Sequence, residues 1–194
     1  MVFMSEHFVR EEPISKALQL DQRDFDSYFP EIVDGAMKSP TSYGFFNQQD
    51  RLIGCNLNSL VDFGQPVEPA DGSKRTNKAQ KICTFLDMIE AELSSAVPEV
   101  QRWFKVDILS VHPDYCRRGI GAKMLELSEQ TARELNCQAL YSEATALSSQ
   151  KLFKKNGYET VRKVAHQDYK DQFGRVIFNC EDGTQSGDLV VKKL

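Results

Sequence analysis

The chain has 194 residues, 41% hydrophobic and 27% charged, with 24 basic against 28 acidic side chains and a formal net charge of −4. That length allows one domain with a proper core, the composition is ordinary for a soluble globular protein, and the sign of the charge argues against a nucleic-acid partner. A mildly acidic balance favours small cationic substrates.

The N-terminal stretch MVFMSEHFVREEP carries Glu6, Arg10, Glu11 and Glu12 where a signal peptide would be apolar, and reads as a short helix over residues 2–10. Pro13 then suits the first position of a second short helix, PISKALQL. Asp21 caps a third, QRDFDSYFPEIVDGAMKS, which Pro30 kinks or divides. TSYGFFN and RLIGCNLNSLV form a hairpin around NQQD, and DFGQPVEPADGSKRTN is loop. From Asn77 the pattern is helical, with Ile82, Cys83, Leu86, Ile89 and Leu93 on one face.

KVDILSV is a strand, HPDYCRRG a turn, and the next helix runs to about Asn136 with Met124, Leu125, Ser128, Ala132 and Leu135 as its stripe. QALYSEA is a strand, LSSQKLFKKNG a helix with Gly157 as its C-cap, YETVRKVAH a strand, RVIF a candidate strand, and SGDLVVKKL closes the chain. The order β-β-α-β-α-β-α-β-β from residue 42 predicts an α/β fold in one domain, 1–194, with a mixed sheet that is parallel around residues 105–144. No apolar run reaches the length of a membrane span, so no membrane partner is expected. Five scattered cysteines (Cys55, Cys83, Cys116, Cys137, Cys180), odd in number and without C-x-x-C pairing, indicate reduced thiols and a cytoplasmic location. His7, His112 and His166 are not at metal-ligand spacing, and no zinc set is present, so no metal is expected.

A strand, a glycine turn and a helix N-terminus in succession present free backbone N–H groups and a positive dipole end, the elements of a phosphate site. The turn is RRGIGA, from Arg117 to Ala122. It lacks the Lys-Ser/Thr of a P-loop, and Met124 stands where a dinucleotide fingerprint needs a third small residue. A glycine turn that merely admits close strand-to-helix packing is the other reading of these residues.

RRGIGA after SVHPDY, followed by SSQKLFKKNGY, resembles the GCN5-related N-acetyltransferases (GNAT), and FVREEPISKALQL and HQDYKDQFGRVIF resemble their insect-type arylalkylamine (dopamine-like) subfamily. The similarity covers nearly the whole chain. It departs from the family in Cys116, where Gln or Arg is usual, and in an opening strand that is missing ahead of the first helix. The resemblance implies the GNAT fold, a central mixed twisted sheet flanked by helices, and acetyl-CoA as co-substrate. It also implies direct acetyl transfer to a small primary amine by a monomer or weak dimer. The amine would be an arylalkylamine such as dopamine, tyramine, octopamine, serotonin or tryptamine. The alternatives are a polyamine or agmatine acetyltransferase and a catalytically weak acetyl-CoA-binding protein.

Carried onto these residues, the resemblance makes Glu12 the base that deprotonates the amine, against a simpler reading in which Glu11 and Glu12 complement a helix N-terminus. It places cofactor contacts at Leu109, Ser110, Val111, Arg117, Arg118, Gly119, Ile120, Gly121, Ala122, Ser149 and Phe153. Phe153 stands where many relatives have a proton-donating Tyr. Ser149, with Thr145 four residues earlier, is the hydroxyl pair assigned to the sulfur, and Ser149 reads equally as a serine satisfying backbone donors at a helix start. Tyr43, Phe45, Phe46 and Tyr28 or Phe29 are candidates for an apolar amine slot, although such residues are more often core.

Overall fold

A computed structural model describes residues 1–63 and 74–194 of the chain, so most of the expected loop DFGQPVEPADGSKRTN lies outside the described residues. The N-terminal third is helical. A π-turn over Met4–Phe8 runs into α1 (Val9–Glu11), followed by α2 (Pro13–Ala17), α3 (Gln22–Asp26) and α4 (Phe29–Ala36). Pro13 opens α2, and Asp21 and Asp24 cap α3 reciprocally, each carboxylate accepting the other's backbone N–H at 2.9 and 3.0 Å. Pro30 falls at the start of α4 and separates it from α3, as its missing N–H dictates.

A hairpin of β1 (Tyr43–Phe46) and β2 (Leu52–Asp62) follows, then α5 (Asn77–Glu90), the short α6 (Leu93–Ala96), β3 (Arg102–Val111), α7 (Ile120–Glu134), β4 (Ala139–Ala144), α8 (Leu147–Lys155), β5 (Glu159–Ala165) and β6 (Ser186–Lys193). The six strands are ordered β1-β2-β3-β4-β6-β5, and β3/β4 is the parallel pair within an otherwise antiparallel sheet. The expected strand RVIF does not form. Those residues contribute one isolated bridge, Lys170 to Val176, because Asp171 draws the chain into a tight turn by accepting the N–H groups of Phe173 and Arg175.

One sheet face packs against the N-terminal helices and α5 through Trp103, Tyr141, Phe85, Ile89 and Leu189. The other packs against α7 and α8 through Phe104, Val106, Leu125, Leu140, Phe153 and Val190. The α5 stripe differs from expectation by one position: Phe85 is fully buried among Tyr169, Phe178 and His166, while Leu86 is only half-buried. Leu93 is buried from α6, past the end of α5. The displacement follows from α5 lying close on β6. A Cβ added at Gly187 would stand 2.2 Å from Ile89 Cδ1, so that strand must be bare where the helix crosses it.

Removing the Phe85 ring should therefore cost far more than trimming its neighbour. Phe85→Ala is expected to lower the unfolding free energy by about 3–5 kcal/mol in a denaturant titration, and Leu86→Ala by less than half of that.

Candidate active site

The site begins where two strands part. Pairing of β3 with β4 covers only Trp103, Phe104 and Lys105 against Ala139, Leu140 and Tyr141. Beyond Lys105, β3 continues on β2 as far as Val111 against Gly54, leaving its other edge without a strand partner. The β2 register shifts between Leu57, opposite Ile108, and Asn58, opposite Val106, so Asp107 is an extra residue, a β-bulge, at the start of the opening. A cavity of about 720 Å³ fills the gap, a volume suited to a sizeable small-molecule ligand. Asp107 to Val111 line one wall, with Ser142, Glu143, Thr145 and Ala146 opposite.

At one end lies the glycine turn. Arg117 and Gly119 adopt φ of 59° and 84°, turning the chain sharply into α7. The first backbone bond into that helix runs from Lys123 N–H to the Gly119 carbonyl, and among the described residues the amides of Arg117 to Ala122 have no backbone acceptor. Arg117, Gly119, Ile120, Gly121 and Ala122 all line the cavity. The packing reading holds in addition for Gly121, where a Cβ would come within 3.0 Å of Leu152; at Gly119 it would meet nothing. Arg118 turns away: its guanidinium bonds the Asp114 carbonyl at 2.8 Å and lies 5.0 Å from the Tyr115 ring centre, so it is corrected to a support of the turn. Lys155, at the end of α8, also lines the cavity.

At the other end, Glu12 caps α2, accepting N–H bonds from Ser15 at 2.7 Å and Ile14 at 3.2 Å. Its Oε1 also accepts the Thr145 hydroxyl at 2.9 Å, across 133 residues of sequence. Burial pushes the carboxyl above its ordinary value, while the bonds from Ser15, Thr145 and Ile14 pull it down. The helix-cap reading and the reading as a reactive carboxylate thus describe the same side chain. Ser149 lines the cavity, but its hydroxyl donates to the Ala146 carbonyl at 2.8 Å and stands 3.3 Å from the Ala146 N–H, which is the helix-start role. Phe153, Leu109, Ser110 and Val111 also line the cavity.

The aromatic slot is not where the hairpin suggested. Tyr43 pairs its hydroxyl with Thr131, Phe46 is 61% exposed at the sheet edge, and Tyr28 and Phe29 are buried in the N-terminal core. The cavity is lined instead by residues the sequence reading passed over. These include Phe8, Asp107, Ser142 and Glu143. The available signal was the charge interrupting two apolar strands, Lys105 and Asp107 in KVDILSV and Glu143 in LYSEA. Among the described residues no group of three or more His, Cys, Asp or Glu side chains could hold a metal ion, and no helix is long and apolar enough to cross a membrane.

A family profile described as "Acetyltransferase (GNAT) domain" matches residues 79–160, the segment that builds α5, β3, the glycine turn, α7, β4 and most of the cavity. Residues 79–160 carry the core of an acetyltransferase (GNAT) domain. The acetyltransferase is similar in structure to arylalkylamine N-acetyltransferase 2 from Aedes aegypti, at 21% identity and a TM-score of 0.79 over 98% of this chain and 90% of that one. It is similar also to a Drosophila melanogaster polyamine N-acetyltransferase described as forming N-acetylagmatine, at 20% identity and a TM-score of 0.82 over 100% and 92%. A mosquito arylalkylamine N-acetyltransferase-like protein, 5b, matches at 20% identity and a TM-score of 0.78 over the same shares. The six-stranded mixed sheet with helices on both faces is the GNAT fold, in an architecture shared with the insect arylalkylamine N-acetyltransferase structures.

The hydrogen bond from Thr145 stabilises the ionised form of Glu12. Thr145→Val is expected to raise the Glu12 pKa and move the acid limb of the kcat/KM profile upward by about half a unit to one unit. A limb that stays in place would show that Glu12 is not the group titrating.

Proposed function

We propose that the acetyltransferase transfers the acetyl group of acetyl-CoA directly to a small primary amine within a ternary complex, with Glu12 as the base. The observation that carries this reading is the Glu12 carboxylate, buried, raised in pKa and bonded to Thr145 at the mouth of the β3/β4 opening. Alkylamines are mostly protonated near pH 7 and do not attack a carbonyl in that form. Glu12 removes the proton, directly or through a water, and its raised pKa brings it nearer the pH at which it must work. Backbone N–H groups of Leu109 to Val111 that face the opening are placed to meet the oxygen as it gains charge. The unpaired amides from Arg117 to Ala122, with the Arg117 side chain, suit the pyrophosphate of the coenzyme.

Coenzyme A thiolate is a tolerable leaving group. Phe153 has no proton to give it, and the Ser149 hydroxyl is already committed to Ala146. The reaction therefore rests on Glu12 and the backbone, with Ser149 and Thr145 ordering the walls. The resemblance in sequence favours an arylalkylamine as acceptor, and Phe8 offers an aromatic wall beside Glu12. Asp107 and Glu143 favour the polyamine or agmatine alternative. A cytoplasmic monomer or weak dimer completes the reading.

Glu12→Gln keeps an acceptor for the α2 cap and removes the base. It is expected to bind acetyl-CoA within about twofold of wild type by calorimetry, and to lose about 10²–10³ in kcat/KM at pH 7, recovering as the pH rises and free amine accumulates. An unchanged rate would reduce Glu12 to a helix cap, and bound coenzyme without thiol release from any amine would make the protein a binding module.

A further inference from the structure

The segment that carries Glu12 meets the glycine-turn end of the cavity through a run of rings that acetyl transfer leaves unused. Phe3 and His7, one helical turn apart, stand 4.9 Å between ring centres, and His7 lies 4.3 Å from His112, just past β3. His112 in turn meets Tyr115 edge-on at 5.7 Å, and the Tyr115 ring carries the Arg118 guanidinium at 5.0 Å. The Tyr115 hydroxyl accepts the Asn47 amide at 3.0 Å, which ties the same loop to the β1–β2 turn. The rings thus join the first helical segment to the loop that leads into the glycine turn. Phe3, Met4 and Val9 hold the inner side of that segment in the core, and His7 faces the cavity. The widened turn Met4–Phe8 on which His7 sits is a rare geometry that recurs at functional sites.

Two imidazoles form the middle of this run, and their contacts depend on their protons. His112 Nδ1 accepts the backbone N–H of Asp114 at 3.2 Å, capping the short turn Pro113–Tyr115. A ring nitrogen that accepts an N–H bond carries no proton, so this arrangement holds His112 neutral. Protonation at Nδ1 ends that bond, and two charged rings 4.3 Å apart repel. Imidazole is the side chain that ordinarily changes charge between pH 5 and 8. The surrounding charges leave this sensitivity in place. Asp114 Oδ2 stands 3.9 Å from His112 Nδ1 and is 82% exposed; its pull draws a protonated ring out of the cap. Glu11 and Arg117, of opposite sign, line the cavity with His7. Glu6 and Arg10, also of opposite sign, are exposed on the same helical segment, and Arg118 is engaged by the Asp114 carbonyl and Tyr115.

We propose that His7 and His112 are a positioning pair: stacked and neutral, they seat the Glu12 segment against the loop before the glycine turn, and proton uptake releases it. For what the pair controls, this rests on the acetyl-transfer reading above; the contact itself is measured without turnover. The seated form binds fewer protons than the released one, so seating is complete above the imidazole range and is lost as the pH falls through it.

Hydrogen exchange of the free protein at pH 7.5 and 5.5, read by mass spectrometry and corrected for intrinsic rates, tests the pair. In wild type, protection of residues 4–12 and 112–118 is expected to fall about tenfold or more at the lower pH, while the β3/β4 ladder keeps its own. His7→Phe keeps a ring without a proton site, and His112→Asn keeps an acceptor for the Asp114 N–H. Each is expected to cut the fall to about threefold or less. His166, buried beside Phe85 and Phe178, is common to every variant and cannot produce that difference. Glu12→Gln is expected to retain the fall in full, which separates the pair from titration of the carboxylate. No fall in wild type, an undiminished fall in both histidine variants, or its disappearance in Glu12→Gln would overturn the assignment. Loss of protection spread evenly over the sheet would overturn it too, because the change would then be global unfolding. Absence of thiol release with any amine would strike the transfer reading and leave this result standing.

Discussion

The early end of the β3/β4 ladder is the constraint on which the rest of the site depends. Two parallel strands cannot be joined by a tight turn and need a crossover, here the glycine turn and α7. Once pairing stops after Lys105 and Tyr141, the crossover leaves from a strand edge that no neighbour has claimed. Backbone groups that a continuous sheet would have consumed become available to a ligand, and the gap is wide enough to hold one. The bulge at Asp107 marks the point of divergence, and Ser142 closes the throat by donating to the Val106 carbonyl at 2.8 Å. The glycine turn lies at one end of this gap and the carboxylates at the other. A coenzyme lying along the gap would therefore carry its reactive end from the amides toward Glu12.

Glu12 meets a structural demand with the same atoms that the proposed chemistry would use. A helix beginning at Pro13 leaves its first amides without acceptors, and a carboxylate at the preceding position satisfies two of them. Those bonds fix the side chain's direction, so that Oε1 lies within reach of Thr145. Burial works against the charge, and the outcome is a carboxyl whose pKa rises despite the bonds it accepts. A free surface glutamate would be a weaker base, and one buried without these donors would stay protonated.

A coenzyme and a cationic amine would make opposite electrostatic demands on one cavity. Unpaired amides and Arg117 face the end suited to an anion; Glu12, Asp107 and Glu143 face the end suited to cations. Their separation along the gap lets both be met without mutual cancellation. The Lys105 ammonium, held by Glu90 and Glu143, offsets part of the negative charge at the carboxylate end.

Local pattern was enough to find the helices, five of the strands around residues 43–165, the closing strand and the glycine turn, because caps, prolines and alternation act over a few residues. The residues that the resemblance named, Glu12, Thr145 and Leu109 to Val111, line one cavity. The places where local pattern erred are those decided by contacts distant in sequence. Phe85 displaced Leu86 in the core because Gly187 lets α5 approach β6 there. RVIF stayed out of the sheet because Asp171 holds its turn. The hairpin aromatics went to the edge and to α7, and Arg118 went to Asp114 and Tyr115. By itself the amino-acid order determined the fold class and the glycine turn at one end of the cavity, whose amides belong to a single short segment. The opposite end was decided by tertiary structure alone, since Glu12, Asp107, Glu143 and Thr145 come to line one cavity only when the first helices close over a splayed sheet.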